Sequence, residues 1–315
     1  DPAAEQTALT GRKSVEFIEK SVAAGKPFFL QLDQYASRDP AAQELLDKAL
    51  GQILKALEDK KIAGNTWIFY TADHGDAGRN PPLRGGKGFL TEGGIRVPLL
   101  AWGPGASKGA SIPTPSVGMD LFPTIAELAG VSELPAKIEG GSLVALMKSG
   151  QAGIVKRSRE PLFFHFPHYD HGNGGPVSAV VLGDWKLLRY YETGKDFLYN
   201  LATDPSESRN LASEQPERAA DLAKRLDVYL KEVDASFATK NPGFDPSRPT
   251  DTDQLRGGGF RPGGGGEGGG QRGGGQRGGG GGGRGGGGRG GNRNQPPPGL
   301  SAVPSGPAGR FGGVA

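Results

Sequence analysis

Cysteine is absent from all 315 residues, which excludes disulfides, thiolate metal ligands and a cysteine nucleophile within this sequence. The redox compartment stays open, because many secreted proteins also do without disulfides. Long apolar runs are missing too: no stretch approaches the roughly 18 residues that would read as a membrane-spanning helix. The opening residues Asp1-Pro2-Ala3-Ala4-Glu5 offer neither the basic nor the apolar segment of a secretory leader. With no Met at its start, the chain is expected to lack the beginning of the natural protein. Acidic side chains are scarce in one region only. From Arg256 to Ala315 there are 30 Gly and 8 Arg, with Glu267 the sole acid, so that tail carries +7. The net charge of +3 then leaves −4 for residues 1–255. A body of that sign is not a general nucleic-acid binder. After about Asp251 the Gly/Arg/Gln composition predicts disorder, since little apolar surface offsets the entropy of ordering it. Such a tail reads as a flexible extension or as a weak binder of RNA or another polyanion.

What is present in the body reads as alternating helices and strands, and the length allows one large domain or two ordinary ones. Leu9 to Ala24 carries Val15, Ile18 and Val22 at steps of three and four, which predicts a helix ended by Gly25. Pro27-Phe28-Phe29-Leu30-Gln31-Leu32 reads as a strand covered on both faces. Asp39 and Pro40 are expected to open a second helix, with Leu46, Leu50, Ile53, Leu54 and Leu57 as its buried stripe. Thr66 to Thr71 predicts another buried strand. Strand, helix, strand implies a parallel pair and an α/β sheet. Val97 to Trp102 adds a strand, and Asp120 is expected to cap a helix running to Leu128. Downstream the pattern shortens into strands at Leu162–Phe166, Val177–Leu182, Trp185–Tyr191 and Phe197–Tyr199. Gly183-Asp184 signals a hairpin between two of them. A last amphipathic helix begins near Pro216, with Leu222, Leu226, Tyr229, Leu230 and Val233 on one side. No internal repeats are evident.

Chemistry is expected where Asp73-His74-Gly75 follows directly on a strand, because open α/β sheets bind ligands beyond strand carboxyl ends. A carboxylate beside an imidazole there can take Ca²⁺ or Mg²⁺. The same tripeptide also suits a plain turn in which Asp73 bonds its own backbone and His74 meets water. Next comes Pro82 to Pro98, in which Lys87 stands among Gly85, Gly86 and Gly88. Bare backbone lets an anion approach, and Lys supplies a compact positive charge. A flexible surface loop is the alternative.

Several strings then line up. Tyr70-Thr71-Ala72-Asp73-His74-Gly75, Leu83-Arg84-Gly85-Gly86-Lys87-Gly88 and Glu92-Gly93-Gly94-Ile95-Arg96-Val97-Pro98 resemble the type I, formylglycine-dependent sulfatase family. Asp120-Leu121-Phe122-Pro123-Thr124, Gly183-Asp184-Trp185-Lys186-Leu187 and Leu198-Tyr199-Asn200-Leu201 continue the resemblance in family order, over roughly residues 8–235. It implies an alkaline-phosphatase-like fold and a sulfuric ester hydrolase acting on a sulfated carbohydrate or small aryl sulfate. It also implies that Asp73 and His74 belong to a Ca²⁺ site, with Mg²⁺ the other hard cation considered, and that Lys87 holds a sulfate oxygen. Sulfuryl transfer builds charge on oxygens that a metal and a fixed ammonium can stabilise. Glu92 and Arg96 are expected to be structural charges.

The family's nucleophile is a formylglycine made from Cys or Ser at the head of a Cys/Ser-x-Pro-Ser-Arg motif, upstream of Asp-His-Gly. No such motif occurs here. Phe244-Asp245-Pro246-Ser247-Arg248 echoes it at the wrong end with Phe at the nucleophile position. The family also carries a His in the loop after the strand matching Phe28–Leu32. This chain has Tyr35-Ala36-Ser37-Arg38-Asp39-Pro40 with no His, so either Arg38 takes over part of the sulfate contact or another acid is used. Of His165, His168 and His171, Pro167 breaks any helical spacing, and odd spacing on a strand sends neighbours to opposite faces. His168 is ranked first as a substrate contact, then as a buried structural group, then as a metal ligand.

The expected architecture is therefore α/β. Residues 1–150 would be the C-terminal part of a sulfatase sheet with helices on both faces. Residues 151–240 would be a small antiparallel sheet packed on a C-terminal helix, and 241–315 a disordered Gly/Arg tail. Formylglycine is expected in a missing N-terminal part, and the setting periplasmic or secreted by resemblance. Two alternatives remain: a phosphate or phosphonate ester hydrolase of the same superfamily, and a non-catalytic fragment binding polyanions through its tail.

Overall fold

Helix α1 spans Pro2–Ala23 in the computed structural model, which describes residues 2–34, 40–76, 80–169 and 175–244. Arg38, Asp39, His171 and the Gly/Arg tail lie outside the described residues. Gly25 ends α1 with φ +60°, while the Gly25 and Lys26 amides return to the Val22 and Ser21 carbonyls at 3.0 and 3.1 Å. Helix α2, Pro40–Asp59, lies against α1. The close crossing is made by Gly11, where an added Cβ would stand 2.8 Å from the Ala49 Cβ. The buried side of α2 is Ala42, Ala49, Ile53, Ala56 and Leu57. The expected Leu46, Leu50 and Leu54 are only half-buried, because alanines rather than leucines occupy the tight seam.

Strand β1, Ile68–Thr71, pairs antiparallel with β2, Leu99–Trp102, in register Ile68 to Trp102. The parallel pair expected from the helical crossover is not formed among the described residues. Residues 27–34 run extended without a ladder, because Phe28, Leu30 and Leu32 pack onto Ile18, Ile53 and Leu57. Helices nevertheless reach both faces of β1 at Ile68 and Phe69. Ile68 joins the α1/α2 cluster, while Trp67, Phe69 and Ala101 face Leu143, Val144, Leu146 and Met147 around α5, Val144–Ser149.

Between β1 and β2 comes the one-turn helix α3, Glu92–Ile95, and after β2 comes α4, Leu121–Leu128. Asp120 does not cap α4 with its side chain. Its carboxylate accepts from the Val117 and Gly141 amides at 2.9 and 3.0 Å, and takes Arg157 Nε and Nη2 at 2.8 and 2.7 Å. A fully buried carboxylate needs every lone pair occupied, and the guanidinium offers two donors at once.

Strands β3 (Leu162–Phe166), β4 (Val177–Leu182), β5 (Trp185–Tyr190) and β6 (Lys195–Asn200) form an antiparallel sheet in sequence order. Alternation divides the side chains cleanly. Val180, Leu187 and Leu198 face α6, Pro216–Glu232, and meet its Leu222, Leu226 and Leu230. Val177, Ala179, Leu188, Tyr190, Phe197 and Tyr199 face the other way, onto Leu90, Phe164, Phe166 and Leu201. The Lys87 loop thus reaches this sheet through Leu90.

Candidate active site

The turn after β1 is shaped by its own side chains. Asp73 Oδ1 accepts the His74 amide at 3.0 Å, and His74 Nδ1 meets the Gly75 carbonyl at 2.9 Å. A carbonyl can only accept, so Nδ1 carries a proton, and whenever the ring is neutral Nε2 is a lone pair. Nε2 faces Asp73 Oδ2 at 3.4 Å, and the Asp73 side chain is 86% exposed. Two acceptors at that distance want a shared cation between them, either a proton or a metal.

Gly75 joins this turn to the next segment. Its amide donates to the Gly94 carbonyl at 2.9 Å, and a Cβ there would stand 1.8 Å from the Gly93 oxygen. Only glycine permits that approach. Within residues 84–94 the Gly93 amide and the Thr91 hydroxyl both donate to the Arg84 carbonyl, each at 2.7 Å. The Phe89 amide closes on Gly86 at 3.0 Å. Lys87 stands exposed at the tip of this closed loop, without an ion-pair or hydrogen-bond partner among the described residues. The Asp73-His74 turn and the Lys87 loop are therefore bonded together through two backbones.

Beneath the loop lies a buried charge cluster. Lys186 Nζ, fully buried on β5, reaches Glu92 Oε1 at 2.8 Å and Glu207 Oε1 at 3.0 Å. The Glu207 contact lies off the hydrogen-bonding directions, so charge rather than a directed bond carries that leg. Glu207 Oε2 accepts the Glu92 amide at 2.7 Å. Burial pushes the Glu207 carboxyl above its usual range, and the Lys186 charge pulls it back. Glu92 is the structural charge the sequence suggests, while Arg96 stands 3.8 Å away and mostly in solvent. Beside them the Arg84 guanidinium lies 5.7 Å from the Tyr199 ring centroid, with Nη2 at 3.4 Å from its hydroxyl. Burial raises the Tyr199 phenol, and Arg84 opposes that rise.

His168 is exposed, its ring edge-on to Phe166 at 5.1 Å, which removes the buried structural role considered for it. His165 is the structural histidine instead, held between Ser178 Oγ and the Ser236 carbonyl at 2.7 Å each. Sequence reasoning gave no role to Lys186 or Glu207. A signal existed for Lys186: the two-residue period of β5 puts it on the same face as Leu188 and Tyr190, so it had to point inward. Among the described residues no group of three or more His, Asp or Glu side chains gathers to form a metal cage.

Helices against both faces of one strand pair, polar turns beyond its strands and a small antiparallel sheet with its own helix are consistent with an alkaline-phosphatase-like fold. Solved structures agree. The chain superposes on Ps i-CgsB in complex with k-i-k-neocarrahexaose with TM-score 0.62 at 24% identity, over 71% of this chain and 54% of that one. It superposes on a protein solved with its substrate D-glucosamine-2-N,6-O-disulfate with TM-score 0.51 at 25% identity, over 62% and 40%. Residues 19–131 match the sulfatase family, and residues 86–236 match the C-terminal part of N-sulphoglucosamine sulphohydrolase. A sulfatase of Formosa agariphila is 34% identical over 211 residues, 60% of this chain. The chain belongs to the sulfatase family. It spans 38% of the length of that curated relative.

Proposed function

We propose that this chain supplies the Lys87 and Asp73-His74 portion of a sulfatase active site that hydrolyses sulfate esters on carbohydrate. The observation that carries the reading is the Gly75–Gly94 closure, which ties a free ammonium to a carboxylate–imidazole pair in one backbone unit. Lys87 binds a sulfate oxygen and stabilises the charge that grows there in the transition state. Asp73 Oδ2 and His74 Nε2 fit part of a Ca²⁺ shell, since an oxygen and a ring nitrogen stand 3.4 Å apart at the surface. A cation that takes six to eight ligands needs further oxygens from other residues. Bound there, Ca²⁺ would polarise the sulfate group. His168, exposed beyond β3, and Arg38 are assigned to substrate contact.

The formylglycine nucleophile comes from outside these 315 residues, because the chain has no Cys and no Cys/Ser-x-Pro-Ser-Arg motif. Exposed apolar groups on the β1/β2 pair support a larger sheet in the whole protein: Leu100 is 58% and Trp102 49% exposed. The carbohydrate choice draws on the relative solved with a glucosamine disulfate. The periplasmic or secreted setting is proposed from the same kinship, and the +7 tail would add a weak, salt-dependent polyanion contact.

The test has two arms. The complete protein should release sulfate from a sulfated saccharide and lose that activity with a calcium chelator. The 315-residue chain alone should release none above blank and should bind Ca²⁺ far more weakly than micromolar by calorimetry. Turnover of a phosphate monoester but not a sulfate ester by the complete protein would move the reading to the phosphatase side of the superfamily.

A further inference from the structure

A buried lysine between two glutamates is a poor way to stabilise a fold, since well-packed apolar groups usually serve as well or better. Its value lies in what it connects. Lys186 belongs to β5, Glu207 to the loop after β6, and Glu92 to the first turn of α3, directly after the Lys87 loop. The Glu207 loop is itself fixed by Asp204, whose two oxygens accept from the Ser208 and Arg209 amides at 2.8 and 3.0 Å and from the Ser206 hydroxyl at 2.7 Å. That turn holds Glu207 in a left-handed conformation, φ +53°. From Glu92 the connection continues through backbone alone: Gly93 to Arg84 on one side, Gly94 to Gly75 on the other. A shift of Glu92 is thereby transmitted to both halves of the candidate site.

We propose that Lys186 is a positioning residue: from the C-terminal sheet, and through Glu92, it sets where Lys87 stands relative to the Asp73-His74 turn. The cluster is a clamp between two parts of the molecule that also meet through Leu90 on the β4–β6 face and through Arg84 against Tyr199. Three charged groups at 2.8 and 3.0 Å admit one arrangement, whereas apolar packing tolerates sliding. The inference rests on the sulfatase reading only for what Lys87 does, and not for the clamp itself.

Amide hydrogen exchange on the 315-residue chain tests the clamp without any assay of activity. Lys186→Met strands two buried carboxylates and risks misfolding, so Glu92→Gln is the deciding variant; it removes the charge from the Lys186–Glu92 leg and leaves the Lys186–Glu207 pair and the residue 92 amide bond to Glu207 in place. Amides of residues 84–94 and 73–75 should exchange at least about tenfold faster, with those of β4 and α6 unchanged. No change in the loop, or an equal rise in α6, would overturn the proposal. In the complete protein, Glu92→Gln should lower kcat about tenfold or more with KM within roughly twofold, as a displaced group does. Added to Lys87→Ala it should cost clearly less than it does alone, because part of the clamp's effect is exerted through that side chain. Additive losses would overturn it. If the complete protein releases no sulfate at all, the functional reading fails while the exchange result still decides the clamp.

Discussion

The two sheets of this protein are finished to different degrees. In the four-stranded sheet, Val177, Ala179 and Val180 of β4 are fully buried, with packing on both faces and a pairing partner on both edges. In the β1/β2 pair, Tyr70, Leu99, Leu100 and Trp102 are exposed, and each strand has one paired edge among the described residues. Local sequence does not explain the contrast, because both regions carry strong strand formers. Closure does. The meander pairs four strands in succession and is then covered by α6, whereas the two-stranded pair leaves apolar side chains uncovered. The segments that flank β1 and β2 in sequence are held partly by polar contacts: Asp120 ahead of α4 with Arg157, and Glu92 of α3 with Lys186.

Removing that polar support should give the largest stability effect. Asp120→Ala leaves Arg157 nearly buried without its partner and should destabilise by about 3–5 kcal/mol in chemical denaturation. A loss under about 1 kcal/mol would mean that the flanking segment is held by packing after all. The exposed Lys87 should behave in the opposite way. In the complete protein, Lys87→Ala should cut kcat by roughly 10²–10³, equivalent to about 3–4 kcal/mol at the barrier. Thermal unfolding should move by less than about 0.5 kcal/mol, as for other exposed side chains. Lys87→Arg should not rescue fully, since a planar fork does not occupy the place of a compact ammonium.

Leu226 on α6 is fully buried, and Leu226→Ala should cost about 2–5 kcal/mol through the cavity it leaves. The pH response should localise to the same half. Burial works against the Asp204 charge, but the Arg209 amide, Ser206 and Ser208 outweigh it, and the carboxyl is held below its usual range. A depressed carboxyl contributes stability above its unfolded pKa, and that contribution is lost as pH falls through the folded value. Protection of the Ser208 and Arg209 amides should therefore be constant near neutrality and fall only below about pH 4. Loss of protection beginning near pH 6 would assign the turn to another group. The smallest effect is expected at the exposed pair. Leu100→Ala in this chain should change stability by less than about 0.5 kcal/mol. The same change should cost clearly more in the complete protein if a wider sheet covers that face.

Periodicity alone determined most of the elements. Val15, Ile18 and Val22 announce α1, Leu222, Leu226 and Leu230 announce α6, and the alternation in 177–199 announces the meander with its Gly183 turn. Those signals are local, so a single chain displays them. The closed turn that carries Asp73, His74 and Lys87 was equally legible, because close backbone approach demands glycine and leaves a visible Gly75, Gly85, Gly93 and Gly94 around it. Pairing was not legible. Residues 27–32 have the composition of a buried strand yet spend it on side-chain packing with α1 and α2, and β1 turns to β2 instead. Partners were not legible either: nothing near Asp120 names Arg157, and nothing near Glu92 names Lys186 or Glu207, at separations of 37, 94 and 115 residues. Propensity and turn chemistry act within a few residues and are written in order along the chain. The choice of which buried charge meets which is made only when the sheets close and water leaves, because only then does an unpaired charge become costly.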